Sequence, residues 1–187
     1  QDPPVQRLTC TPISGVRPHE KRDPAMSTAF TFPGQGSQSV GMGKDLADSF
    51  SEARAVFDEV DAALGQNLSA LMFDGPEDEL TLTANAQPAL MAVSLAAMRA
   101  LEARGFVLAD RAACVAGHSL GEYSALAAAG ALTVADTARL LSFRGNAMQD
   151  AVPVGQGAMA AIIGLEQHAD DAICSDCSTG GVCQIAN

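Results

Sequence analysis

The sequence predicts an α/β protein. Three observations carry that expectation. Short apolar runs at Thr28–Phe32 and Ala113–Ala116 have the length and composition of strands. Segments with helical apolar spacing separate and follow them. A serine between two glycines, Gly117-His118-Ser119-Leu120-Gly121, joins the second run to an alanine-rich stretch. The chain has 187 residues, 48% of them hydrophobic, so one ordinary domain with its own core is within reach.

Taken in order, residues 1–25 are proline-rich, charged and without a periodic apolar face, and read as a disordered or non-native extension. Met26, ahead of "STAFTFPGQGSQ", reads as the true start. The run Thr28–Phe32 ends at Pro33-Gly34, a strand feeding a glycine-rich turn. Ser51–Leu64 places Ala53, Val56, Phe57, Val60, Ala63 and Leu64 on one helical face, with Gly65 as its C-cap. Pro88 to Arg104 is expected to be a largely buried helix stopped by Gly105. Ala113–Ala116 is a candidate buried strand, and Glu122–Ala129 the helix after it. Thr133 with Asp136 resembles a capping box opening the helix that bears Arg144. Pro153, Gly155 and Gly157 break the chain; Ala158–Ile163 is a further strand candidate and Val182–Ile185 a weaker one. No internal repeat is present.

Composition narrows the function. A net charge of −11 disfavours non-specific binding to nucleic acid and to anionic membranes, although a local pocket can still oppose the global sign. No apolar run approaches the roughly 20 residues of a membrane span, and no charged n-region followed by an h-region stands at the start, so no secretory signal is expected. Five cysteines, an odd number without framework spacing, fit a reducing, cytoplasmic setting.

The serine motif carries the chemistry. In a nucleophile elbow, G-x-S-x-G holds the serine in a strained turn with its Oγ above the sheet, so its neighbours must be small. The helix that follows aims its N-terminal N–H groups at the same spot, and the N–H of Leu120 would face the oxyanion formed when Ser119 attacks a carbonyl. A tight turn with a capping serine is the plainer alternative; strand before and helix after favour the nucleophile. His118 is rejected as the base, because adjacent residues at an elbow point apart. Neither His19, in the N-terminal extension, nor His168, in a polar stretch, is a convincing replacement. The G-x-G at Gly34 and Gly36 completes neither a Walker loop nor a dinucleotide fingerprint.

Four blocks, "FPGQGSQSVGMGKDL" (Phe32–Leu46), "NAQPALMAVSLAAMRAL" (Asn85–Leu101), "VAGHSLGEYSALAAAGAL" (Val115–Leu132) and "RGNAMQDAVP" (Arg144–Pro153), closely resemble the malonyl-CoA:acyl carrier protein transacylases of bacterial type II fatty acid synthesis. The resemblance runs from near Met26 to Asn187 and covers about the N-terminal half of that family. It implies an α/β-hydrolase-like large subdomain, here residues 26–154, and the start of an inserted ferredoxin-like small subdomain, residues 155–187. It further implies that Ser119 takes malonyl from malonyl-CoA and passes it to the phosphopantetheine thiol of acyl carrier protein. Gln35 and the Leu120 N–H would form the oxyanion hole, Arg144 would clamp the malonyl carboxylate, and Gln87 would line the pocket. A guanidinium is suited to that clamp because it holds a carboxylate with two parallel bonds.

The family's general-base histidine lies beyond Asn187, so this chain is expected to be an incomplete, inactive fragment. The complete protein is expected to be a monomer without cofactor or metal. A zinc set can be assembled on paper from Cys174, Cys177, Cys183 and His168. That stretch aligns with a helix and strand of the small subdomain, where no metal is expected. Two alternatives stay open: a polyketide-synthase-type acyltransferase, and a serine hydrolase sharing the elbow. Arg144 with the PGQG turn argues against the hydrolase, which has no need of a carboxylate clamp.

Overall fold

The computed structural model describes residues 28–152, 155–157, 162, 164 and 167–185. They fall into two compact units divided between Ala151 and Val152. The N-terminal extension and the strand candidate Ala158–Ile163, apart from Ile162, lie outside the described residues.

The first unit is α/β. Its elements in order are β1 (Ala29–Phe32), α1 (Lys44–Ser49), α2 (Ser51–Leu64), α3 (Leu68–Asp74), α4 (Glu77–Thr81), α5 (Thr83–Glu102), α6 (Leu108–Arg111), β2 (Cys114–Gly117), α7 (Leu120–Ala128) and α8 (Val134–Ala151). β1 and β2 pair in parallel, with Ala29 opposite Cys114 and Phe32 opposite Gly117. Parallel pairing puts the C-terminal ends of both strands, and so the PGQG turn and the serine elbow, side by side.

Helical spacing decides what each helix buries. α2 buries Ala53, Val56, Phe57 and Val60 and ends at Gly65, whose φ of 64° is the left-handed conformation a glycine tolerates best. α5 is apolar on several sides and packs between neighbours, burying Leu90, Met91, Leu95 and a row of alanines. With Leu68, Met72, Leu120 and Leu141 these residues make the main core. A second cluster, Phe32, Met98, Leu108, Val115 and Ala125 among them, lies against the strands.

α8 is capped from two directions. Thr133 Oγ1 accepts from the Asp136 N–H at 3.0 Å, and the Glu59 carboxylate of α2 accepts from the Ala135 N–H at 3.2 Å. The reciprocal bond of a full capping box is replaced by one between side chains, Thr133 Oγ1 donating to Asp136 Oδ2 at 2.8 Å. Thr133→Ala is expected to lower stability by about 1 kcal/mol, read from urea denaturation; a change near zero would show that Glu59 alone caps the helix.

Three expectations need correction. α5 begins at Thr83, not Pro88, and Pro88 lies inside it. Proline favours the first helical turn, yet a full turn precedes it here. Tertiary contacts hold the extra turn instead: the Thr83 side chain is bonded on two sides, and α8 packs against the backbone of Ala84 at Gly145. α7 begins at Leu120, directly after the serine, rather than at Glu122. Residues 182–185 are irregular rather than a strand.

In the second unit, α9 (Gln167–Cys177) is the described helix. Ser178 Oγ lies within hydrogen-bonding distance of the Cys174 carbonyl (2.6 Å) and the Cys183 carbonyl (3.1 Å). Desolvation, then the neighbouring Cys183, push the Cys174 thiol up from its ordinary pKa. Among the described residues no group of three or more His, Cys, Asp or Glu side chains is placed to hold a metal. No described helix is long and apolar enough to cross a membrane.

Candidate active site

The turn between β2 and α7 has the geometry of an elbow. Ser119 has φ 54° and ψ −116°, the one non-glycine residue at positive φ among the described residues. Such a conformation costs about 1–3 kcal/mol and persists only where surrounding structure enforces it. The flanking glycines explain how it is enforced. A Cβ on Gly117 would stand 2.0 Å from the Gly121 backbone, and one on Gly121 would stand 2.2 Å from the Phe32 carbonyl oxygen. Neither position admits a side chain, so strand, turn and helix are pressed together and Ser119 is left at the surface.

Gly121→Ala is therefore expected to destabilise the unit by about 1–3 kcal/mol, the range of overpacking, because the obstructing atoms are backbone. A shift in the melting midpoint checks it; an unchanged midpoint would mean that the close approach is dispensable.

Leu120 is the first residue of α7, so its N–H has no acceptor within the helix and stands beside Ser119 at the helix's positive end. The Gly121 N–H is used by the His118 carbonyl at 2.9 Å, and the Glu122 N–H by the Ser119 carbonyl at 3.1 Å. The His118 ring turns the other way: its Nδ1 would stand 2.6 Å from a Cβ on Gly34, against the PGQG turn. An open hollow of roughly 300 Å³ lies at the strand ends, lined by Thr31, Phe32, Pro33, Ala116, Gly117 and His118.

The residues singled out in the sequence meet in one chain of hydrogen bonds. Arg144 Nη2 donates to Ser119 Oγ at 3.0 Å, and Nη1 donates to Gln87 Oε1 at 2.6 Å. Gln87, fully buried, donates from Nε2 to Thr83 Oγ1 at 3.1 Å and to Met148 Sδ at 3.3 Å. Thr83 Oγ1 donates to Gln35 Oε1 at 2.9 Å. The elements make this possible. Thr83 and Gln87 lie one turn apart on α5, Arg144 and Met148 one turn apart on α8, so two i,i+4 pairs face each other. Gly145 lets the helices close: a Cβ there would be 2.6 Å from the Ala84 Cα. A guanidinium has five N–H donors, and the two bonds from Arg144 use two of them.

The family model for the acyl transferase domain matches residues 29–184. The chain belongs to the acyl transferase domain family. The chain is 48% identical, over 85% of its length, to the malonyl CoA-acyl carrier protein transacylase of Bacillus subtilis, and covers 49% of that protein. Its fold is similar to the crystal structure of an acyl-carrier-protein S-malonyltransferase from Bartonella henselae, with a TM-score of 0.81, 60% identity, and coverage of 87% of this chain and 52% of that one. It is also similar to a malonyl-transacylase solved in complex with its type II PKS acyl-carrier protein: TM-score 0.75, 44% identity, 83% of this chain and 49% of that one. The chain spans about half the length of the curated relatives it matches.

Sequence reasoning missed three residues of this cluster. Thr83 sits one helical turn before Gln87, a spacing visible in the sequence once the helix is known to begin at residue 83. Gly145 directly follows Arg144, and a glycine inside a helical pattern is itself a sign of close approach. Met148 lies one turn after Arg144, and its sulfur accepts from Gln87.

Proposed function

We propose that this chain carries the nucleophile and carboxylate clamp of a malonyl-CoA:acyl carrier protein transacylase. One observation carries the reading. The Arg144 guanidinium lies within hydrogen-bonding distance of the Ser119 hydroxyl and is fixed from behind by buried Gln87. A positive charge next to an acylation site selects an acyl group that ends in a carboxylate. A serine hydrolase acting on neutral esters gains nothing from it.

The chemistry follows from the site. Ser119 Oγ attacks the thioester carbonyl of malonyl-CoA. The C–O bond forms, the carbonyl electron pair becomes the oxyanion, and the Leu120 N–H with Gln35 stabilises it. The C–S bond then breaks, and coenzyme A leaves as the thiol, taking up the proton lost by Ser119. The phosphopantetheine thiol of acyl carrier protein repeats the attack on malonyl-Ser119 and restores the hydroxyl. Arg144 holds the distal carboxylate throughout. No cofactor or metal takes part. Likeness to a transacylase solved with its acyl-carrier protein supports a carrier protein as acceptor.

The same reading places residues 26–154 in an α/β-hydrolase-like large subdomain and residues 155–187 in the first part of a ferredoxin-like small one. The division of the chain after Ala151 supports a boundary in this region. On this reading the general base and the other strands belong to the part of the relatives that this chain does not span.

The test uses a completed enzyme, residues 28–187 followed by the C-terminal half of the Bacillus subtilis relative. Malonyl-CoA is expected to leave one malonyl group on Ser119, which carrier protein then removes. An adduct that persists in Ser119→Ala, or none at all, overturns the reading. Fatty-acid and polyketide carrier proteins tested side by side decide which acceptor is preferred.

A further inference from the structure

We infer that Cys174 and Cys183, in the second unit, are a thiol pair that a small-molecule disulfide converts to an intramolecular disulfide.

Three observations bring the two residues together. The Ser178 hydroxyl lies 2.6 Å from the Cys174 carbonyl oxygen and 3.1 Å from the Cys183 carbonyl oxygen, so one side chain reaches the backbone of both. The thiols adjoin as well, the Cys183 side chain being a hydrogen-bond partner of the Cys174 side chain. Burial agrees. Across residues 171–185 every residue is exposed except these two cysteines, which are half-buried. Apolar burial does not explain that choice, because Ile173 and Val182, both more hydrophobic, are 47% and 90% exposed. The two cysteines are covered by each other.

The motif in the sequence points to a different pair. Cys174 and Cys177 form C-x-x-C, but Cys177 is exposed. The side chains that act on the Cys174 thiol are those of Cys183, Asp170 and Asp171, and Cys177 is not among them. A disulfide demands a narrow geometry, so the loop between the partners has to yield a little. Gly180 and Gly181 lie in that loop, and a Cβ on either would meet nothing.

The chemistry balances with a disulfide R–S–S–R as oxidant. One cysteine, as thiolate, attacks a sulfur of R–S–S–R; the S–S bond breaks and R–S⁻ leaves. The second cysteine then attacks the protein sulfur of that mixed disulfide and expels the other R–S⁻. The two protons lost by the cysteines end on two R–SH. Two electrons pass from the protein to R–S–S–R. In a reducing setting the pair stays as thiols and closes only when disulfide oxidants accumulate, as a redox sensor does. Closure ties α9 to the chain that follows the glycines.

The test uses the 187-residue chain and oxidised glutathione. The folded chain is expected to lose the two thiol hydrogens without keeping glutathione. Cleavage before Asp176 parts Cys174 from both other cysteines of the unit, so the new bond is read as a link between Asp171–Ser175 and Asp176–Asn187. Cys177→Ser is expected to form the link within about twofold of the parent rate, and Cys183→Ser to slow it at least about tenfold. The same oxidation in urea is expected to scatter the pairing among the cysteines. A link that is lost in Cys177→Ser and kept in Cys183→Ser assigns the bond to C-x-x-C and overturns the inference. So do stable glutathione adducts with no link, disulfide-linked dimers in its place, or the same pairing pattern with and without urea.

Discussion

Incubated with malonyl-CoA, residues 1–187 alone are expected to form malonyl-Ser119 about 10²–10⁴-fold more slowly than the completed enzyme. That range is the usual effect of losing a general base. The geometry gives the reason. The hydroxyl of Ser119 is bonded to Arg144 Nη2 at 3.0 Å, and that partner donates. An arginine cannot take up a proton, so this bond orients the oxygen without activating it. The His118 ring, adjacent in sequence, packs against Gly34. His19 and the side chain of His168 lie outside the described residues. Intact-mass spectrometry over a time course measures both rates. A rapid, stoichiometric adduct in the 187-residue chain would overturn the prediction and mean that the chain holds a base of its own.

In the completed enzyme, Arg144→Ala is expected to reduce the preference for malonyl-CoA over acetyl-CoA by about tenfold to a hundredfold. A hydrogen bond to a charged group is worth about 1.5–3 kcal/mol, and only malonyl has the carboxylate to make it. The ratio is the informative quantity. Removing Arg144 also leaves the buried Gln87 oxygen without its donor, which costs about 1–3 kcal/mol in its own right and loosens the site for any substrate. That general loss cancels between the two acyl groups. Equal falls in malonyl and acetyl transfer would take Arg144 out of the clamp and leave it as a support for Gln87. The same logic predicts that a malonyl analogue with its carboxylate amidated behaves like acetyl in the parent enzyme.

Gln35, Gln87, Ser119, Leu120 and Arg144 were all named from the sequence, but by different routes. Ser119 and Leu120 stood on local physics: a strand, two glycines with no room for a Cβ, and a helix starting at the next residue. The helices at Ser51–Leu64 and after Thr133 were equally legible, because apolar spacing and capping act within a few residues. Gln35, Gln87 and Arg144 came from resemblance to a family, since nothing in the spacing of a turn glutamine and two helical polar residues predicts a contact. The short helices α1, α3, α4 and α6 escaped notice because four to seven residues are too few to display a period.

What the sequence determined by itself is the strained turn at Ser119, the strand preceding it and the helices whose apolar faces build the core. These depend on interactions between near neighbours in the chain. What only the tertiary structure decided is the start of α5 at Thr83, the approach of α5 and α8 across Gly145, and the continuous chain from Gln35 through Thr83, Gln87 and Arg144 to Ser119. Those contacts join segments far apart in sequence. Hydrogen-bond direction is a property of the assembled set: an arginine that can only donate requires the Gln87 oxygen to face it, and no single residue's neighbours in the chain reveal that.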